Sequence, residues 1–226
     1  MVDWSESSPP WSDYKGIIKS ISIHEGVTNV GDNAFSGLTN VTTVIMPKTL
    51  TEIGDGAFEG CTGITNILIP ENVTVIGTGA FENCVSLERV YMCCYDLTEI
   101  PERSFKNCSS LYFISIPVWV KTIGAEAFAY CTELKKISLP GGSIIGDKAF
   151  YNCSILSIIY MDYIEGIGSY AFYNCDNLAS IEIPYTVTDI GESAFEDCDS
   201  LVSVKMPYSG MTEFKNKIFK IIGCIN

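Results

Sequence analysis

From residue 17 onward the chain repeats one short pattern of apolar and polar positions. Two apolar residues flanking a polar or variable one recur as Val44/Met46, Ile67/Ile69, Val90/Met92, Ile114/Ile116, Ile137/Leu139, Ile159/Met161, Ile181/Ile183 and Val204/Met206. Period two with β-branched residues predicts a short strand with these side chains inward. Proline closes most of these strands, at Pro47, Pro70, Pro117, Pro140, Pro184 and Pro207. Ile21 and Ile23 fit the same slots in a leading half-repeat. Nine strands would then stack in parallel, one per coil, into a sheet roughly 38 Å long at about 4.8 Å per step.

After each proline a Val-Thr-x-Ile-Gly segment, as in Val73 to Gly77 and Val187 to Gly191, is expected to turn the chain, its isoleucine inward. The glycine is expected to supply φ > 0 at the corner. An Ala-Phe pair follows and predicts a single helical or 3₁₀ turn on the outer side. Two residues after the phenylalanine stand Gly37, Gly60, Asn83, Asn107, Tyr130, Asn152, Asn174 and Asp197, nearly all of them types that tolerate αL. The marker phenylalanines, from Phe35 and Phe58 to Phe195, are spaced by 23, 23, 24, 23, 22, 22 and 23 residues. Such a period means a solenoid in which no coil buries its apolar side alone.

Ten cysteines would ordinarily suggest a disulfide scaffold. Seven of them, Cys61, Cys84, Cys108, Cys131, Cys153, Cys175 and Cys198, stand three residues after a marker phenylalanine. Neighbouring strands bring such residues to about 4.8 Å with parallel side chains, a poor geometry for a disulfide. They are expected to form a column of buried free thiols, with Cys93, Cys94 and Cys224 outside it and more reactive. The C-x-x-C pairs that metal binding favours are absent from the sequence.

Acidic residues number 27 against 14 basic ones, for a net charge of −13. This balance disfavours nucleic acid and anionic membrane surfaces as partners. Residues 1 to 8 carry neither the basic nor the apolar region of a leader, and no apolar run is long enough to span a membrane.

The string Ala-Phe-x-x-Cys-x-x-Leu-x-x-Ile-x-Ile-Pro-x-x-Val-x-x-Ile-Gly, complete from Ala171 to Gly191, resembles the BspA-type leucine-rich repeat. The resemblance covers about residues 17 to 226. It implies a leucine-rich-repeat right-handed β-α superhelix, β-dominant with short helical turns, whose strands line a concave face. It also implies an extracellular or cell-surface protein that binds host proteins, extracellular matrix components among them, with any leader missing from this chain. Residues 1–16 are expected to form an N-terminal cap or leader remnant, and residues 17–226 a single solenoid. Its last coil, about residues 207–226, is degenerate or truncated; an amphipathic helix is the alternative there.

Departures from the repeat mark loops, where binding functions often lie. The coil from Phe81 to Phe105 gains a residue, carries Cys93-Cys94-Tyr95 in place of proline and has Pro101 where glycine is usual. The coils from Phe128 and Phe150 are each one residue short. Nucleophilic catalysis with a histidine base would have to use His24, the one histidine, which sits at a strand end in the half-repeat. The acidic clusters lack the order of a calcium loop. The sequence therefore points to a non-enzymatic module with no cofactor and no metal site. Outward strand positions are the more informative ones. They include Ile45, Leu68, Tyr91, Phe113, Ile158 and Tyr160, an apolar and aromatic stripe of the kind that marks protein contacts, with Trp119 and Tyr163 as its rim. Two readings stay open: an adhesin-like protein-binding module using Leu68, Tyr91, Phe113, Trp119, Ile158, Tyr160 and Tyr163, or a structural spacer within a longer surface protein.

Overall fold

A computed structural model describes residues 9–206. Within them the chain winds into a stack of coils, and neighbouring coils meet along three parallel seams. The first seam holds the nine strands that the alternation predicts, from Ser20–Ser22 and Thr43–Ile45 through Asn66–Ile69 and Arg89–Met92 to Ser203–Lys205. Pairing is parallel and in the repeat register, with Ile67 opposite Val90 and Leu68 opposite Tyr91. Ile67 and Ile69 are buried while Asn66 and Leu68 face out.

This seam is discontinuous. It divides into groups of two, three, two and two strands, with interruptions after Thr43–Ile45, Phe113–Ser115 and Ile158–Tyr160. The inward residues on the strand preceding each interruption, Val44, Ile114 and Ile159, are only partly buried, while those on the strand following it, Ile67, Ile137 and Ile181, are buried.

The second seam corrects the expectation of a plain turn after each proline. Two-residue strands such as Glu52–Ile53 and Val75–Ile76 form a ladder of their own. The glycines that end them do not adopt φ > 0. A Cβ at Gly77 would lie 2.4 Å from the Asp55 nitrogen, and one at Gly191 2.2 Å from the Ser169 nitrogen. Glycine is needed at these positions because the preceding coil's backbone lies where a Cβ would stand. Each such glycine also donates its amide to the preceding coil, as Gly77 does to the Ile53 carbonyl at 2.7 Å and Gly124 to Ile100 at 2.7 Å. Pro101 occupies this slot with no N–H to give. The ladder is broken at that place, between Val75–Ile76 and Glu99–Ile100.

The third seam is the turn that carries the marker phenylalanines. Among the described residues the expected helical turn is absent from the repeats; the one 3₁₀ turn, Ser12–Tyr14, precedes them. Successive β-turns replace it, with Ala34 donating to the Gly31 carbonyl, Ser36 to Asn33 and Leu38 to Phe35. The position two after the phenylalanine has positive φ as predicted, from Gly37 (73°) and Asn83 (62°) to Asp197 (57°). A second left-handed residue, two before the phenylalanine, was not predicted and is filled by Asn33, Arg103, Glu126, Lys148, Tyr170 and Ser193 in different coils. This alternation turns three amides toward the next coil: Gly56 bonds Thr78 O at 2.9 Å, Phe58 bonds Ala80 O at 2.8 Å and Gly60 bonds Glu82 O at 2.8 Å. The same three bonds recur at every interface from Phe35 to Phe195.

Behind this seam the phenylalanine rings stack at centroid distances between 5.2 and 5.6 Å. Such spacing suits offset aromatic pairs. Trp11 continues the column at the N-terminal end, stacked 5.3 Å from Phe35, and its indole N–H donates to the Ala34 carbonyl at 2.8 Å. The thiol column runs alongside and is buried and free of disulfides, as expected. Each thiol donates to the carbonyl of the preceding coil's phenylalanine, as from Cys84 to Phe58 and Cys131 to Phe105, both at 3.2 Å. Burial pushes the Cys61, Cys153 and Cys198 thiols up to about 12. The degenerate last coil and Cys224 lie outside the described residues.

Candidate protein-binding face

Each long strand presents two side chains outward, and these form two rows across the coils. In one row Ile45, Leu68 and Tyr91 follow one another, after which come Ser115 and Ser138, then Tyr160, then an ion pair between Lys205 and Glu182 at 2.7 Å. In the other row Arg89 stands opposite Phe113, the next coil contributes Lys136, and Lys136 stands opposite Ile158. Leu68 (56% exposed), Tyr91 (41%), Phe113 (42%) and Tyr160 (49%) all retain much of their surface in water.

The geometry gathers these residues unevenly. Tyr91 and Phe113 touch, with ring centroids 5.4 Å apart and planes tilted by 45°. Tyr160 and Ile158 lie two coils further on, separated from that pair by Lys136 and the two serines. The Lys136 ammonium sits over the Tyr160 ring at 4.9 Å, and the Arg89 guanidinium over Tyr112 at 5.0 Å. Both contacts are within cation–π range.

Beyond the strand ends Trp119 and Tyr163 are exposed. Tyr163 packs edge-on against Tyr185 at 6.4 Å. Tyr185, 73% exposed, belongs to the same rim. Its slot directly after Pro184 was the available signal, since Tyr163 occupies the corresponding slot one coil earlier. A shallow groove of about 410 Å³ runs between Tyr160, Asp162, Glu182, Tyr185 and Lys205, over the interruption that follows Ile158–Tyr160.

The remaining chemistry is spread out. His24 is exposed and borders a cavity of about 390 Å³ at the first coil, walled by Trp11, Ile18, Phe35 and Leu38 and touching neither Cys93 nor Cys94. Cys93 is exposed, but Cys94 is buried, donates to the Pro70 carbonyl at 3.5 Å and has its thiol pushed up to about 11 by burial. Burial of Cys94 runs against the expectation that both would be reactive, while Cys93 has the exposure that the expectation needs. Among the described residues no three His, Cys, Asp or Glu side chains converge as a metal site, and no helix is long and apolar enough to cross a membrane.

Parallel strands repeated once per coil, with a stacked phenylalanine column behind the opposite turn, define a leucine-rich-repeat solenoid. The family model described as the BspA type leucine rich repeat region, six copies, matches residues 13–135 and 98–225, and the chain belongs to that family. Among solved structures it is similar to a leucine-rich repeat protein of T. pallidum, at 24% identity and a TM-score of 0.64, over 89% of this chain and 82% of that one. It is also similar to a leucine-rich repeat protein from Eubacterium ventriosum, at 24% identity and a TM-score of 0.59, over 86% of this chain. The chain spans 45% of the length of that second protein. A search of curated proteins found no match.

Proposed function

We propose that the long-strand face, concave in leucine-rich-repeat proteins, docks a protein partner and that the chain acts as an adhesin-like binding module in an extracellular or cell-surface setting. The observation that carries this reading is the exposed aromatic contact of Tyr91 with Phe113, joined by Leu68 opposite Tyr91, with Tyr160 and Ile158 as a second exposed group two coils further on. Large apolar side chains left in water in a contiguous group are characteristic of interaction sites. Tyrosine in particular buries much area at small entropic cost. Trp119, Tyr163 and Tyr185 would supply the rim. The family membership supports a repeat scaffold used for interaction rather than catalysis.

Binding to a panel of extracellular matrix proteins tests the reading, using the native chain and a Tyr91→Ser, Phe113→Ser, Tyr160→Ser triple variant. All three side chains point away from the core, so the variant should remain folded by circular dichroism. Loss of binding in the folded variant is the expected result. A ligand held equally tightly by the variant would move the site to another face, and no ligand at all would leave the spacer role standing.

A further inference from the structure

The outward positions of the strands differ in charge from the rest of the molecule. The chain holds 27 acidic residues, yet the two outward positions on each of the nine strands include one acidic residue, Glu182, against Arg89, Lys136 and Lys205. Lys205 is paired with Glu182. The residues just before two of these strands, Glu88 and Lys135, add one charge of each sign. Among the described residues neither Arg89 nor Lys136 forms an ion pair with a carboxylate; both rest on tyrosine rings instead. Phe113 lies between them in the same row. One paired strand step separates Arg89 from Phe113, and the sheet interruption after Phe113–Ser115 separates Phe113 from Lys136.

We propose that this cation–aromatic–cation row recognises an extended acidic peptide segment, with an apolar side chain on Phe113 and Tyr91 and flanking carboxylates on Arg89 and Lys136. The inference rests on the protein-binding reading and adds the chemistry of the partner. A net charge of −13 repels an acidic ligand at long range, so cations without carboxylate partners beside the Tyr91–Phe113 contact supply the local attraction needed there. Arginine offers two parallel N–H groups to a carboxylate, and lysine a compact charge. A sulfated glycan is the less suitable occupant, because it would leave the Tyr91 and Phe113 rings in water and find only two such cations.

The test uses a fluorescein-labelled synthetic peptide alternating glutamate and leucine, its lysine-for-glutamate counterpart and a heparin fragment. The acidic peptide should bind the native chain and weaken as salt rises, while the other two should bind at least ~10-fold more weakly. An Arg89→Glu, Lys136→Glu double variant should lose ~10-fold or more for the acidic peptide, and an Arg89→Lys, Lys136→Arg variant should retain most of the binding. Binding by heparin in place of the acidic peptide, preference for the basic peptide, binding by none of the three or indifference to the charge reversal would each overturn the proposal. A protein ligand lost by the aromatic triple variant but kept by the charge-reversed one would overturn the acidic-partner inference alone and leave the docking face in place.

Discussion

The turn side and the long-strand side of each coil are built from the same chain yet hold their neighbours differently. On the turn side three backbone bonds, a phenylalanine stack and, from Cys61 onward, a thiol bond to the preceding Phe carbonyl join the coils without a gap. On the strand side the sheet breaks into four pieces, and the inward residue on the strand preceding each break stays partly in water. Irregular coil length coincides with one of the three interruptions, the one after Ile158–Tyr160. The extra residue falls between Met92 and Leu97 and the two missing ones between Leu139 and Ile145 and between Met161 and Ile164, all in the connection from the long strand to the second ladder. The phenylalanine spacing varies from 22 to 24 residues, but ring separation varies only between 5.2 and 5.6 Å. Cohesion is therefore concentrated at the turn, and the opposite face is freer to vary and to carry a binding surface.

The largest test of this contrast removes a ring from the middle of the stack. Phe128→Ala should cost about 3–5 kcal/mol, because a fully buried aromatic leaves a cavity between two close-packed coils. Phe35→Ala should cost less, since Phe35 is slightly exposed near the end of the array. Midpoints of denaturant unfolding compare the two, and equal small losses would contradict the stacking account. On the strand side, Phe113→Ser should leave stability within about 0.5 kcal/mol, as expected for an outward residue.

Glycine substitutions sharpen the comparison at a smaller scale. Gly77→Ala forces a Cβ to within 2.4 Å of backbone and should cost about 1–3 kcal/mol. Gly166→Ala meets only the Ile144 Cγ2 at 3.6 Å and should range from no change to a gain of about 1 kcal/mol. Thermal melts of the two variants check the difference.

The thiol column adds a pH dependence. Burial raises the Cys153 thiol from the ordinary 9.0 to about 12, so between those values the unfolded chain loses a proton that the folded chain keeps. Stability is thus fully present below pH 9 and declines toward pH 12. A Cys153→Ala variant should show a shallower decline in denaturant midpoint over that range than the native chain. In native protein at neutral pH, brief alkylation followed by mass spectrometry should label Cys93 ahead of Cys94 and the column cysteines. Label mainly on Cys108 or Cys131 would mean that the column is open to solvent.

Much of this was legible in the residues. Phenylalanine spacing located the coils, period two located the strands and their exposed side, and glycine or asparagine marked one of the two left-handed positions. The other left-handed position gave no signal, because Arg103, Glu126, Lys148 and Tyr170 have no common preference for αL. They are held there by inter-coil bonds that exist only once the coils stack. At Gly77 and Gly191 the sequence suggests a requirement within one coil, φ, whereas the cause lies between two coils. Trp11 stands 24 residues before Phe35, within the spacing of the series, and could have been counted as its first ring. At the candidate site, parity identified Tyr91, Phe113 and Tyr160 as outward, but the separation of Tyr160 from the other two depends on Ser115 and Ser138 filling the row between them. The seating of Arg89 and Lys136 on tyrosines required the geometry itself.

Amide hydrogen exchange read residue by residue tests the division of labour between the two sides most directly. Exchange slows where backbone bonds persist through local opening. The account predicts uniformly strong protection for the marker amides from Phe58 to Phe172, each bonded to the next coil, and weaker protection for the amides directly after the strands that precede the interruptions, at Met46, Ile116 and Met161. Equal protection on both sides, or strand amides outlasting the phenylalanines, would contradict it.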